Sequence, residues 1–299
     1  VVLAWLGLAG WIALDLDHAR QRELAAAGQV AATLTTVLDR HLRATVEKID
    51  FRLQEFIDRH QQDVVTRVPR ERLEQELKRT QALFPEASSF RVADARGNYL
   101  YDASGQLAPV NIADRDYFRR LRDEPGAGLV CSEPITSRIT GSWVIVLARR
   151  LEDRSGQFIG IVLAAVNSDY FERFYATLDV GRDGVVALWN KEQQLIARWP
   201  RREDWVGRRL TQAGFVDAVD AGRDSGGFVG VAQLDGVRRI HAYRVAEQLP
   251  FVVVVGLSEA EVLAGWYHRG AIYAGLGLLR LAVVFAAMRM WHQSYGRVE

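Results

Sequence analysis

The sequence predicts an α+β protein: a long N-terminal helix, then two tandem modules with antiparallel sheets, the whole flanked by two membrane helices. Three observations carry this prediction. Apolar residues gather at both ends of the 299-residue chain. Residues 17–68 contain no proline and a single glycine, Gly28, with apolar residues at helical spacing. From Ser88 onward short alternating runs are separated by Gly-, Asn- and Asp-rich turns, and the order of these runs occurs twice.

Val1 to Leu14 carries no charge, and Asp15 and Asp17 end the run. It is short of the roughly 20 residues a spanning helix needs, so it reads as the later part of a first membrane helix. A secretory leader cleaved at Ala25-Ala26-Ala27 is the alternative, and the charged stretch Asp15 to Glu23 disfavours it. At the other end, Ala271 to Met288 is apolar apart from Arg280, with Trp266 and Tyr267 before it and Trp291 after it. Trp266 to Trp291 spans about 37 Å as a helix, a bilayer crossing with an aromatic anchor at each interface. Arg280 is the misfit, since an arginine at membrane depth needs a partner or a water path. Two apolar ends around a polar region predict a hairpin, with both ends cytoplasmic and the polar region outside.

Between the ends, Leu34, Leu38, Leu42, Val46, Ile49, Leu53 and Phe56 define one face of a helix of about 50 residues. Such a length suggests a coiled coil or a packing spine, and the stripe Leu34-Leu38-Leu42-Val46 is expected to serve both as spine for the modules and as part of a partner seam. Glu71 to Leu83 reads as a second helix. A hairpin turns at Ala95-Arg96-Gly97-Asn98, and a short helix follows at Tyr117 to Leu121. Three further strand candidates lead to Asn167-Ser168-Asp169, which opens another helix with Glu172 placed for a capping box. The second half repeats the plan, with a hairpin about Asp235-Gly236. Its last strand ends in the capping box Ser258-Glu259-Ala260-Glu261.

The composition narrows the function. Hydrophobic residues make up 49% and charged residues 25%, and 38 Lys and Arg against 37 Asp and Glu leave +1. No basic surplus is present for nucleic acid. A lone cysteine, Cys131, excludes an intrachain disulfide framework and reads as a buried, inert thiol. The six histidines are scattered without ligand spacing, so no metal is expected. No nucleophile elbow, phosphate loop or zinc-hydrolase signature is present, so neither catalysis nor a cofactor is expected of this chain.

Several local motifs resemble one family. Asp114-Arg115-Asp116-Tyr117-Phe118 looks like an arginine-aromatic element ahead of a ligand-site helix. Ser132-Glu133-Pro134 with Gly141-Ser142-Trp143 resembles a pocket-lining strand pair. Gly156 to Val162 resembles a closing hairpin, and Asp169-Tyr170-Phe171 the helix after it. Gly181-Arg182-Asp183-Gly184 and Leu195 to Pro200 look like the hairpin of a second module. In this order, from Asp17 to Met288, they resemble the PAS-like double Cache sensors of bacterial membrane signalling proteins.

That resemblance implies a first membrane helix over 1–16 and a spine and dimerisation helix over 17–70. A membrane-distal Cache module over 71–178 and a membrane-proximal one over 179–262 follow. A second membrane helix over 266–291 and the start of a cytoplasmic tail over 292–299 complete the chain. It implies a two-pass homodimer of the bacterial inner membrane with a periplasmic sensor region. The distal module would bind a small ligand, and the proximal module and second membrane helix would pass the signal to an output domain outside this chain, of histidine kinase or diguanylate cyclase type. Arg115 is the first candidate ligand residue, because a guanidinium holds a carboxylate through two charge-assisted bonds. Tyr117 would cover the ligand. Tyr101, Ser132, Glu133, Trp143 and Asn167 are secondary candidates. The alternative for Arg115 is a brace against Asp114, Asp116 or Glu133. The amino-acid-binding branch of the family has a tyrosine and an aspartate where this chain has Cys131 and Glu133, and an aspartate where it has Ala165. An organic acid is therefore expected ahead of an amino acid. A membrane-anchored scaffold for a protein partner is the alternative function.

Overall fold

The computed structural model describes residues 2–60, 70–104, 109–209 and 216–295. Helix α1 (Val2–His60) runs unbroken for 59 residues, about 88 Å at the rise of an α-helix. Its length follows from the absence of proline and from a continuous apolar face. Ala31, Leu38, Leu42, Val46, Ile49, Leu53 and Phe56 are all buried. Helix α2 (Arg70–Leu83) adds Leu73 and Leu77 to the same core. Residues 61–68, the expected end of the spine helix, lie outside the described residues.

The first sheet contains β1 (Ala87–Asp94), β2 (Tyr99–Asp102), β3 (Val130–Cys131), β4 (Ile135–Thr136), β5 (Trp143–Glu152) and β6 (Phe158–Asn167), in the order β2-β1-β6-β5-β3, with β4 also on β5. Helix α3 (Asp116–Asp123) lies over one face, and α4 (Ser168–Tyr175) leaves its end. The second sheet contains β7 (Val185–Asn190), β8 (Leu195–Trp199), β9 (Ser225–Val231), β10 (Arg238–Val245) and β11 (Phe251–Ser258), in the order β8-β7-β11-β10-β9, with α5 (Val216–Asp220) between β8 and β9. Every pairing is antiparallel, and the two sheets share one winding order. Helix α6 (Glu259–Val262) follows, capped by Ser258, whose hydroxyl accepts from the Glu261 amide as expected. Helix α7 (Ala264–Tyr295) ends the described chain.

One core joins these parts. It takes apolar residues from α1 and α2 together with Phe90, Val92, Ile145, Leu147 and Val162 of the first sheet and Val186, Leu188, Ala242, Val253 and Val255 of the second. The stripe expected to meet a partner is part of this core: Leu38, Leu42 and Val46 are spent on the chain's own sheets. The opposite face of α1 carries Ala26, Val30, Val37, Ala44 and Phe51, all exposed.

Among the described residues one helix, Ala264–Met290, is long and apolar enough to cross a membrane, where the sequence predicts two. The N-terminal apolar run forms the opening turns of α1 and ends at Asp15 and Asp17. The two helices run together where they leave the second sheet. The Trp266 indole donates to the Leu16 carbonyl at 2.7 Å, and Arg269 pairs with Glu23 and Arg20 with Glu259.

Candidate functional site

The first sheet has one face on the helical core and one face under α3. The second face presents Ala93, Val144, Val146, Ile161, Leu163 and Ala165, with Tyr117, Phe118 and Leu121 of α3 packed on them. Arg115 is the residue that caps α3, in extended backbone. This places its guanidinium beside the helix's first turn, next to Tyr117.

Strand β2 supplies the facing side chain through a bulge. Val92 pairs with Tyr101 and Ala93 with Tyr99, so Leu100 is the extra residue and the two tyrosines take opposite faces. Tyr101 packs against the helical core, and Tyr99 against the α3 side. The Tyr99 and Tyr117 hydroxyls are hydrogen-bonded to each other, and burial pushes both phenols up, so both remain neutral. Behind them the buried Arg91 pairs with the buried Asp102 at 2.5 Å, its guanidinium 5.5 Å over the Tyr99 ring.

Two arginines border this phenol pair. Arg138 holds Asp114 through two bonds of 2.8 and 2.5 Å, which keeps the Asp114 carboxyl down at about 2. Arg115 is half-buried and, among the described residues, forms no ion pair. Its Nη2 donates to the Thr136 carbonyl at 3.0 Å. The acids that could brace it are elsewhere: Asp114 with Arg138, Asp116 with Arg119, and Glu133 exposed on a cleft between the sheets. The same face of the sheet holds two buried polar atoms without partners, Ser89 Oγ and Asn167 Oδ1, beside Ala165 and Val144. Neutral hydroxyls, guanidinium groups and unspent buried polar atoms together form a surface suited to a small anion with further polar groups.

Of the seven residues the sequence singles out, the structure brings Arg115 and Tyr117 together, and Asn167 lies on their face of the sheet. The Ser132 hydroxyl is used within the chain: it accepts from the Val146 amide at 2.8 Å and donates to the Glu133 carbonyl at 2.6 Å. Glu133 lines a cleft of about 510 Å³ between the two sheets, with Arg120, Lys191, Glu192 and Gln248. Cys131 lines it too, its thiol pushed up to about 12 by burial. Trp143 lines a second cleft between the sheets, of about 390 Å³. Tyr99 was not among the candidates; its signal is the pair Tyr99-Leu100-Tyr101, in which only the bulge decides which ring faces the site.

The family model for the Cache domain, in its double form, matches residues 17–266. The chain belongs to the Cache domain family. This Cache chain also matches solved sensor domains along most of its length. It shares 29% identity with the extracellular domain of rpHK1S-Z16, a candidate histidine kinase, at a TM-score of 0.73 over 81% of this chain and 99% of that one. The ligand-binding domain of Mlp24, solved with asparagine, has a TM-score of 0.61 at 13% identity over 83% and 98% of the two chains. That of the Pseudomonas aeruginosa chemoreceptor PctC, solved with GABA, has a TM-score of 0.57 at 14% identity over 77% and 99%. A Bacillus thuringiensis protein named as a probable methyl-accepting chemotaxis protein is 28% identical over 119 residues. The match covers 38% of this chain and 17% of that relative's length. The chain is a sensor domain of the type found in the extracellular parts of membrane receptors.

Proposed function

We propose that this Cache chain is the input region of a two-pass membrane receptor, and that Arg115, Tyr117 and Tyr99 bind a small carboxylate-bearing molecule in its membrane-distal module. The observation that supports this reading is Arg115 itself: a half-buried guanidinium with no carboxylate of its own, beside two neutral phenols. Arg138, Ser89 and Asn167 border the same space. The ligands named for PctC and Mlp24, GABA and asparagine, share a carboxylate. The acid that could receive an amine, Glu133, lines the cleft between the sheets with Arg120 and Lys191, which favours an organic acid over an amino acid. The distal module spans 71–178 and the proximal module 179–262. The signal passes through the proximal module to α7 and on to an output domain, for which a histidine kinase has the support of rpHK1S-Z16 and a diguanylate cyclase remains the alternative.

The receptor works as a homodimer whose seam is the outer face of α1. Exposed positions 26, 30, 33, 37, 40, 44, 47, 51, 54 and 58 alternate steps of four and three, with Val30, Val37, Ala44 and Phe51 every seven residues.

The test is a thermal-shift screen of the full chain in detergent against small organic acids and amino acids. A ligand at about 100 times its dissociation constant adds roughly 2.7 kcal/mol, a rise of several degrees for a region of this size. Arg115→Ala should remove most of that rise and leave the unliganded midpoint nearly unchanged. A fall in the unliganded midpoint as large as the lost rise would make Arg115 a brace.

A further inference from the structure

The cleft of about 390 Å³ between the two sheets lies away from Arg115 and has its own chemistry. One wall is Trp143, at the start of β5. The opposite side is the first turn of α4, with Ser168, Asp169 and Glu172, and Arg201 reaches in from the loop after β8. Arg201 pairs with Asp169 at 3.0 Å and with Glu172 at 3.2 Å, so it ties the second module to the first. Glu172, placed by sequence for a capping box, is turned to this arginine instead; the residue capping α4 is Asn167, and its side chain makes no cap bond. Ser168 is 3% exposed, lines the cleft, and its hydroxyl has no hydrogen-bond partner among the described residues. A buried hydroxyl without a partner at a cleft wall is an expensive arrangement unless a bound group completes it.

The charges choose the ligand. Two carboxylates face one guanidinium, and the positive end of α4 offsets about half a charge, so the cleft stays negative. An indole face beside carboxylates attracts an ammonium group, through its ring quadrupole and through ordinary Coulomb attraction. The volume suits a small molecule. We infer that this cleft is a second binding site, for a small organic ammonium ion that also carries a hydroxyl or similar group for Ser168. Its occupant touches both modules at once. The hairpin that carries Trp143 is held on its other side by Arg115, which bonds Thr136, and by Arg138.

Isothermal titration of the full chain in detergent with ethanolamine, against sodium chloride at equal concentration, tests this. Saturable binding is expected with a dissociation constant at or below about 10 mM. Asp169→Asn and Trp143→Leu should each weaken it by about three- to tenfold. Arg115→Ala and Tyr117→Phe should leave it unchanged. Absence of saturable binding to the unmodified chain overturns the inference. So does a dissociation constant that Arg115→Ala raises and the two cleft variants do not, since ethanolamine then sits in the first site and the reading of that site stands. Trp143→Leu carries the test if Asp169→Asn fails to fold.

Discussion

Gly207 and Trp143 form one of the contacts between the two modules, and replacing Gly207 by alanine tests how that contact is built. Gly207 has φ +79°, in the left-handed region. A Cβ there would come within 2.6 Å of Trp143 Cζ3. Two costs follow. Holding alanine at positive φ costs about 1–2 kcal/mol, and forcing the half-buried indole aside costs about 1–3 kcal/mol. Gly207→Ala should therefore destabilise by roughly 2–5 kcal/mol, a fall in midpoint of about 5–15 °C. The costs separate in a double-mutant cycle with Trp143→Ala. Once the indole is gone only the backbone cost remains, so the double variant should be more stable than the sum of the singles by about 1–3 kcal/mol. Thermal melting of the four proteins measures this. Additivity within about 0.5 kcal/mol would refute the steric reading of the contact.

His241 lies buried on β10, stacked on Phe228 at 4.6 Å with its Nδ1 unpartnered, and burial holds its pKa down at about 4. The unfolded chain takes up this proton from about pH 6.5 downward while the folded chain resists until about pH 4, so stability falls with acid across that window, by up to about 3 kcal/mol. His241→Gln should flatten the denaturation midpoint between those pH values, and an unchanged slope would exclude His241 as its source. Asp102→Ala, which strands the buried Arg91, should cost about 3–5 kcal/mol in chemical denaturation, and Arg91→Leu with Asp102→Leu should recover most of it. In membranes, cysteines at Val37 or Ala44 should crosslink two copies while one at Leu38 or Leu42 should not; the reverse pattern would place the seam on the other face of α1.

The short runs and their repetition were legible because the strands are apolar and their turns fall on glycine or asparagine. The capped start of α6 and the hairpin about Asp235-Gly236 follow local rules, and the structure has both. What the residues concealed were outcomes of competition between distant groups. The helical stripe from Leu34 to Val46 reads equally as spine or seam, and only the presence of two sheets to bury it decides. The smaller residues at Val30, Val37 and Ala44 are drowned by that stronger signal. Tyr99 and Tyr101 exchange faces through one bulge that no propensity marks. Glu172 sits at capping-box spacing, but Arg201, 29 positions along the chain, outbids the backbone amide for it.

The unbroken α1 has a mechanical meaning. Because its inner face is shared by both sheets, the helix cannot follow one module without dragging on the other, and the pair behaves like two carriages bolted to a single rail. No loop interrupts Val2–His60, so one continuous helix joins the first sheet to the Leu16–Trp266 contact. There α7 begins its own course, fixed to the second sheet through α6. A displacement of one sheet against the other would register there as a slip between two adjacent rods, a difference rather than a position.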